Sequence, residues 1–183
     1  MPQAVRFLPV DRVLTAPELL YDLLRERERE TWISTTGLPS YEEHVAFVTS
    51  KPYRYWYLLF AGEVPVGELH ATELNEIGLS IFKRHQGQHY GSQAIRHFID
   101  MHAPLPPITS KRNRHWLANI GVENTGSKAF FASLGFRPLQ ETWVFEKDNY
   151  NEHYRYTSGL PEPHRGQPGA THAPVDPVSG GDV

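Results

Sequence analysis

The stretch Asn75–His102, NEIGLSIFKRHQGQHYGSQAIRHFIDMH, reads as strand, loop and helix. Ile77, Leu79, Ile81 and Phe82 make an apolar run of β-favouring residues. Lys83 to Gly91 is polar, with glycines at 87 and 91. Ala94, Ile95, Phe98 and Ile99 then recur at helical spacing, which predicts a helix starting directly after Gly91. Such a turn presents backbone N–H groups at a helix N-terminus, where a phosphate or pyrophosphate is favoured. Lys83, Arg84 and His85 add positive charge beside it. No G-K-[ST] follows, so this is not a Walker loop, and G-x-G-x-x-G does not fit. Taken alone, a glycine-bearing turn of this kind is also an ordinary structural turn.

Working outward, a second informative stretch is Trp116–Pro138, WLANIGVENTGSKAFFASLGFRP. It reads as a strand from Trp116 to Val122, then N-x-x-S at Asn124 and Ser127, a short helix, and L-G-F at Leu134, Gly135 and Phe136. Asn124 suits a helix N-cap and Gly135 a C′ position.

The two stretches, in this order and spacing, resemble the hallmarks of the GNAT (GCN5-related) N-acetyltransferases, over about residues 5 to 146. The family's acyl-CoA loop follows R/Q-x-x-G-x-G/A. Here Gln86 and Gly91 match, and His89 stands where the first small residue belongs. The resemblance implies an α+β fold: a mixed, twisted sheet of about seven strands flanked by helices and splayed between the fourth and fifth. Those two strands are expected at Glu76–Phe82 and Trp116–Val122.

The resemblance also implies acetyl-CoA as co-substrate and direct attack of an amine on the thioester. The cofactor is expected along Leu79, Ser80, Ile81 and Phe82, with its pyrophosphate on the amides of Gln86, Gly87, Gln88, His89, Tyr90 and Gly91 and with Ser92 at the helix start. Asn124, Ser127 and Phe131 are expected on the pantetheine side. Glu76 falls where many members carry the general base, with Glu68, His70 and Glu73 as rivals and substrate contacts. A backbone amide of Leu79, Ser80 or Ile81 is expected to hold the oxyanion. Phe131 occupies the place of a tyrosine that protonates the thiolate, so Tyr90 or a tyrosine among Tyr150, Tyr154 and Tyr156 is the substitute. Trp32 lies in the segment that shapes the acceptor pocket, although a packed tryptophan reads equally well.

The remaining chain is consistent with one domain over 1–157 and a disordered Pro/Gly-rich tail over 158–183. Val5–Val10 predicts a strand; Thr15–Glu18 and Ser40–Glu43 predict capping boxes of two helices, the first with an alternating Arg/Glu tract at Arg25–Glu30 and the second burying Val45 and Val48. Tyr55–Phe60 and Val64–Leu74 predict a hairpin, and Thr142–Glu146 a strand closing the sheet.

The 183 residues carry a net charge of −3 and no cysteine, which excludes disulfides, thiol nucleophiles and thiolate metal sites. No apolar run of membrane-spanning length occurs, and a cytoplasmic location is the default expectation. His85 and His89 lack an H-E-x-x-H context, and no metal is expected. Lys83 to Lys128 holds seven Lys/Arg against Asp100 and Glu123, which suits a polyanionic ligand such as CoA and would also suit nucleic acid, although the resemblance points to CoA. The expected reaction is transfer of acetyl to a primary amine of a small molecule. The N-terminal half loosely resembles members acting on amino sugars carried by nucleotides. A peptide or protein amine and a non-catalytic acyl-CoA-binding domain are the alternatives, and a second copy of the chain is a further candidate partner.

Overall fold

The computed structural model describes residues 3–27 and 37–143. Met1–Pro138 form one compact unit and Leu139–Val183 another. In the first, β1 (Val5–Pro9), β2 (Tyr55–Ala61), β3 (Val64–Ala71) and β4 (Ile77–Ile81) make an antiparallel meander in sequence order. Gly62, at φ +61, closes the β2–β3 hairpin. One extra residue in β3 shifts the register between Leu59 and Phe60 of its partner, a β-bulge near the hairpin.

Strand alternation divides the side chains between two cores. On one face, Leu59, Leu69, Ala71 and Ile77 pack with Ala94, Ile95 and Phe98 of α3 (Tyr90–Met101) and with Phe131 of α4 (Thr125–Ser133). On the other, Leu58 and Phe82 pack with Ala16, Leu20 and Leu23 of α1 (Ala16–Glu26) and Val48 of α2 (Tyr41–Thr49). Helices thus cover both faces of the sheet, as the α+β reading requires.

The helix ends follow expectation only in part. The Ser40 capping box forms in full, its hydroxyl accepting from the Glu43 amide and the Glu43 carboxylate from the Ser40 amide. The one expected at Thr15 does not form: the Thr15 side chain makes no capping bond, and Pro17 in the first turn has no N–H to offer. In α2 it is His44, not Val45, that is buried beside Val48. The Arg/Glu tract stays helical only to Glu26, where Arg27 turns extended; its remainder lies outside the described residues. The last turn of α4 closes by a Schellman motif, with Gly135 at φ +91. The Phe136 amide donates to Phe131 and that of Gly135 to Ala132. The two aromatic rings meet 5.1 Å apart, which is the apolar contact this motif favours.

Two strand expectations need correction. Trp116–Val122 forms no extended strand: it pairs with the sheet at one parallel bridge, Glu76 to Leu117. Of Thr142–Glu146, Thr142 and Trp143 are irregular and exposed, and the rest lies outside the described residues. The sheet among the described residues therefore has four strands. The expected domain limit at 157/158 and the tail also lie outside them.

The bridge at Leu117 rests on Asn75, which is fully buried and sits at φ +64. Its Nδ2 donates to the carbonyls of Leu105 (3.0 Å) and Asn113 (2.8 Å), and its Oδ1 accepts from the Leu105 amide (2.8 Å). Its backbone carbonyl accepts from the Leu117 amide at 2.8 Å. Asparagine both tolerates the left-handed region and supplies donor and acceptor together. Asn75→Ala is expected to cost about 3 kcal/mol, because it leaves buried backbone groups without partners. Asn75→Gly should cost about 1 kcal/mol less, since glycine is unstrained at positive φ. Urea titration of both variants checks this; wild-type stability in either would contradict the clamp.

Two histidines make the fold acid-sensitive. His44 Nε2 donates to the Pro17 carbonyl across the α1–α2 contact (2.9 Å). His102 stacks on Tyr55 and bonds the Tyr57 hydroxyl through Nε2 (3.1 Å). Burial lowers both pKa values, and for His102 the charges of Arg54 and His97 lower it further. The unfolded chain therefore takes up these protons more readily than the folded one. Stability should be full above about 6.5, the unfolded value, and decline as pH falls through it toward the depressed folded values. The urea midpoint should drop between pH 7 and pH 5, and a His44→Gln, His102→Gln double variant should flatten that slope. An equal slope in the variant would contradict the assignment.

Candidate functional site

The chain opens where β4 leaves the Leu117 bridge. Backbone groups of successive strand residues point alternately to opposite sides. The amides of Thr72 and Phe82 donate to the carbonyls of Glu76 and Val66, while the Ile77 amide donates outward to Leu117 (2.7 Å). Between these, Gly78 and Ser80 direct their peptide groups toward β3, and Leu79 and Ile81 direct theirs outward, away from β3. No β-ladder pairs those outward groups with Ala118–Val122. The result is a wedge: strand and segment are joined at Glu76 and Leu117 and separate beyond them. Of the three amides considered for an oxyanion, alternation turns that of Ser80 toward Glu68 and leaves those of Leu79 and Ile81 on the wedge side. The Ile81 carbonyl accepts from Gln86 Nε2 (3.1 Å), which ties the loop to the strand end.

Lys83–His85 form one turn of 3-10 helix after β4, and α3 starts at Tyr90, two residues earlier than a start after Gly91. Gly91 thus lies in the first helical turn, where the amides have no intrahelical acceptor. The approach there is close: a Cβ would lie 3.2 Å from the Leu79 side chain of β4 and 3.3 Å from the Phe130 ring of α4. That contact seats the helix N-terminus against the end of the wedge. His89 is the N-cap residue, exposed and in the left-handed region at φ +63. Gly87, at φ +73, has open space around it. The Ser92 hydroxyl donates to the His89 carbonyl (2.8 Å). Tyr90 is half-buried and packs on the α3–α4 core.

On the α1–α2 face lies a polar cluster in an aromatic frame. Glu68 is buried, and its Oε2 accepts from Trp56 Nε1 (3.1 Å) and His70 Nδ1 (3.0 Å). Tyr53 stacks on the His70 imidazole, centroids 3.9 Å apart at 18°. Burial, with Glu68 adding to it and Arg27 opposing, pushes the Tyr53 phenol up to about 12, so it stays neutral. Trp56 and Phe47 complete the frame. Gly78 lies directly beneath His70: a Cβ there would collide with Cε1 and Nε2 of the ring. Tyr53 and Trp56 were not singled out from sequence: Trp56 read only as one residue of the Tyr55–Phe60 strand, and Tyr53 lies before it.

The other expected residues fall as follows. Glu76 accepts from Thr72 Oγ1 (3.1 Å) and from Asn119 Nδ2 (2.9 Å), at the closed end of the wedge. Glu73 is exposed at the β3–β4 turn. The Asn124 side chain caps α4 by accepting from the Ser127 amide (2.9 Å). Phe131 is buried between Phe130 and Phe136. Trp32 and the tyrosines at 150–156 lie outside the described residues. Among the described residues no group of three or more His, Asp or Glu is placed to hold a metal ion, and no helix is long and apolar enough to cross a membrane.

No family model and no curated protein matches the sequence. Solved structures do. An acetyltransferase from Thermus thermophilus is 24% identical with a TM-score of 0.56, over 76% of this chain and 91% of that one. A transcriptional regulator from Bacillus halodurans is 18% identical at 0.54, over 78% and 99%. A possible acetyltransferase from Clostridium difficile is 11% identical at 0.52, over 78% and 95%. At these identities the likeness is one of fold. The chain has the fold of the GNAT acetyltransferases.

Proposed function

We propose that the protein is an acetyl-CoA-dependent N-acetyltransferase that transfers acetyl to a primary amine of a small molecule. The observation that carries this reading is the wedge, with the outward peptide groups of Leu79 and Ile81 on one wall and the first turn of α3 seated at its end. Extended peptide-like groups pair with such an edge as an added strand would. A pyrophosphate is matched by helix-terminal amides and by the charge of Lys83 and Arg84. The amine acceptor enters from the face of α1 and α2, where Glu68, His70, Tyr53 and Trp56 lie. The resemblance to members acting on amino sugars and the aromatic frame make an amino sugar the first acceptor to test. Phe131 bears on the non-catalytic alternative: it lacks the hydroxyl of an acid, but it also closes the Schellman turn, which accounts for an apolar ring there. A thiol leaves readily near neutrality, its reference pKa being about 8.5, so turnover does not require that acid. Thiol release from acetyl-CoA across a panel of amino sugars, small amines and peptides tests the reading; no release with any of them would favour a binding domain.

The cofactor site has its own test. Acetyl-CoA at a hundredfold excess over Kd should stabilise the fold by about 2.7 kcal/mol, seen as a higher melting temperature. His89→Asp keeps a residue that tolerates the left-handed N-cap and sets a carboxylate where phosphate would lie. The variant should melt no lower than wild type alone and lose the acetyl-CoA shift. A full shift in the variant would place the ligand elsewhere.

A further inference from the structure

We infer that the proton acceptor for the attacking amine is His70 Nε2, oriented by Glu68, and that Glu76 is a structural latch. This rests on the acetyltransferase reading above. The Glu68 carboxylate accepts, so His70 Nδ1 is the donor to it and Nε2 is the ring nitrogen left to take up a proton. Trp56 donates to the same Glu68 oxygen and holds the carboxylate in place. Tyr53 covers one side of the ring, and the other lies over Gly78, where any side chain would displace it. His70 pairs directly with Gly78, one residue from the wedge-facing peptide of Leu79. A base held this way, by a buried partner, an aromatic lid and a glycine floor, sits on the acceptor side of β4.

Glu76 is placed differently. Both its oxygens already accept bonds, from Thr72 and Asn119, that link the β3–β4 turn to the segment after Leu117. Those bonds hold the closed end of the wedge and leave the carboxylate less free to turn toward an acceptor.

In the transfer step, Nε2 takes one proton from the amine nitrogen as that nitrogen forms the C–N bond to the thioester carbon. The carbonyl electron pair moves to oxygen, returns, and the C–S bond breaks with its pair on sulfur. The proton on His70 passes to the thiolate or to water, giving the amide and free CoA.

The titratable groups that face His70 are Glu68 on its own strand, Tyr53 before β2 and, on the same face of β4, Glu76; Arg27 acts on Tyr53 from the end of α1. The test uses the full chain with acetyl-CoA and the best acceptor from the panel. His70→Gln should lower kcat about a hundredfold or more at pH 7 with KM for acetyl-CoA unchanged. The deficit should shrink as pH rises, because hydroxide can then take the proton in place of Nε2. Glu76→Gln should lower the melting temperature and keep the wild-type pH profile, since it removes no base. Glu68→Gln, the milder change, should lower kcat about tenfold at unchanged KM for acetyl-CoA, and it decides the matter if His70→Gln fails to fold. His70→Gln with kcat within threefold of wild type, a deficit equal at every pH, or Glu68→Gln at full rate overturns the assignment. Turnover by wild type and His70→Gln alike would leave the acetyltransferase reading standing and remove only the base. A wild type that releases no CoA with any amine overturns both.

Discussion

The side chain of one buried amide, Asn75, holds three segments together at the point where β4 begins. It bonds the loop after α3 at Leu105 and the chain at Asn113, and its backbone carries the bridge to Leu117. The cost of burying an amide is offset only when its donors and acceptor are all matched, as they are here. Because the bridge is confined to Glu76 and Leu117, the two chain segments can diverge beyond it. An open strand edge usually invites unwanted pairing. Here the edge is short and forms one wall of a wedge, with Gln86 tied to the Ile81 carbonyl at its end.

The wedge and the polar cluster occupy different sides of the same strand, and the period of two explains how one strand serves both. The peptide groups of Leu79 and Ile81 point outward, while Gly78 leaves room on the α1–α2 face for the His70 ring. Two glycines therefore act by absence of a side chain rather than by backbone freedom: Gly78 under an imidazole and Gly91 against Leu79 and Phe130. A methyl group at Gly78 would displace the His70 ring, and one at Gly91 would press on the ends of the Leu79 and Phe130 side chains. His89 does the opposite, adopting a left-handed φ that glycine would adopt without strain and carrying a side chain into solvent at the helix start.

Histidines take separate roles. His44 and His102 are packed and neutral, and they tie helices to their neighbours. His70 has a carboxylate partner and a stacked phenol on the acceptor face. From sequence His70 stands among the candidate bases only through the resemblance, and nothing in the spacing separates a packing histidine from a working one.

The local order of the chain was legible in the sequence because it depends on short-range physics. The apolar period placed β1 to β4 and α3, the Ser40 and Asn124 caps placed two helix starts, and Gly135 placed a helix end. The motif pair at Gln86–Gly91 and Asn124–Phe136 pointed to the fold that the solved structures share. Where propensity misled, a neighbour decided. Thr15 made no cap bond, and Trp116–Val122, although rich in strand formers, paired only at Leu117. Strand pairing needs a partner edge that runs alongside, and periodicity within one segment carries no information about the distance to another. The same holds for the site. Glu68, Glu76 and His70 are equally polar letters in a strand pattern. Which one is latched by Thr72 and Asn119, and which is backed by a buried carboxylate over a glycine, depends on contacts between residues far apart in the chain, and so only the tertiary structure decided it.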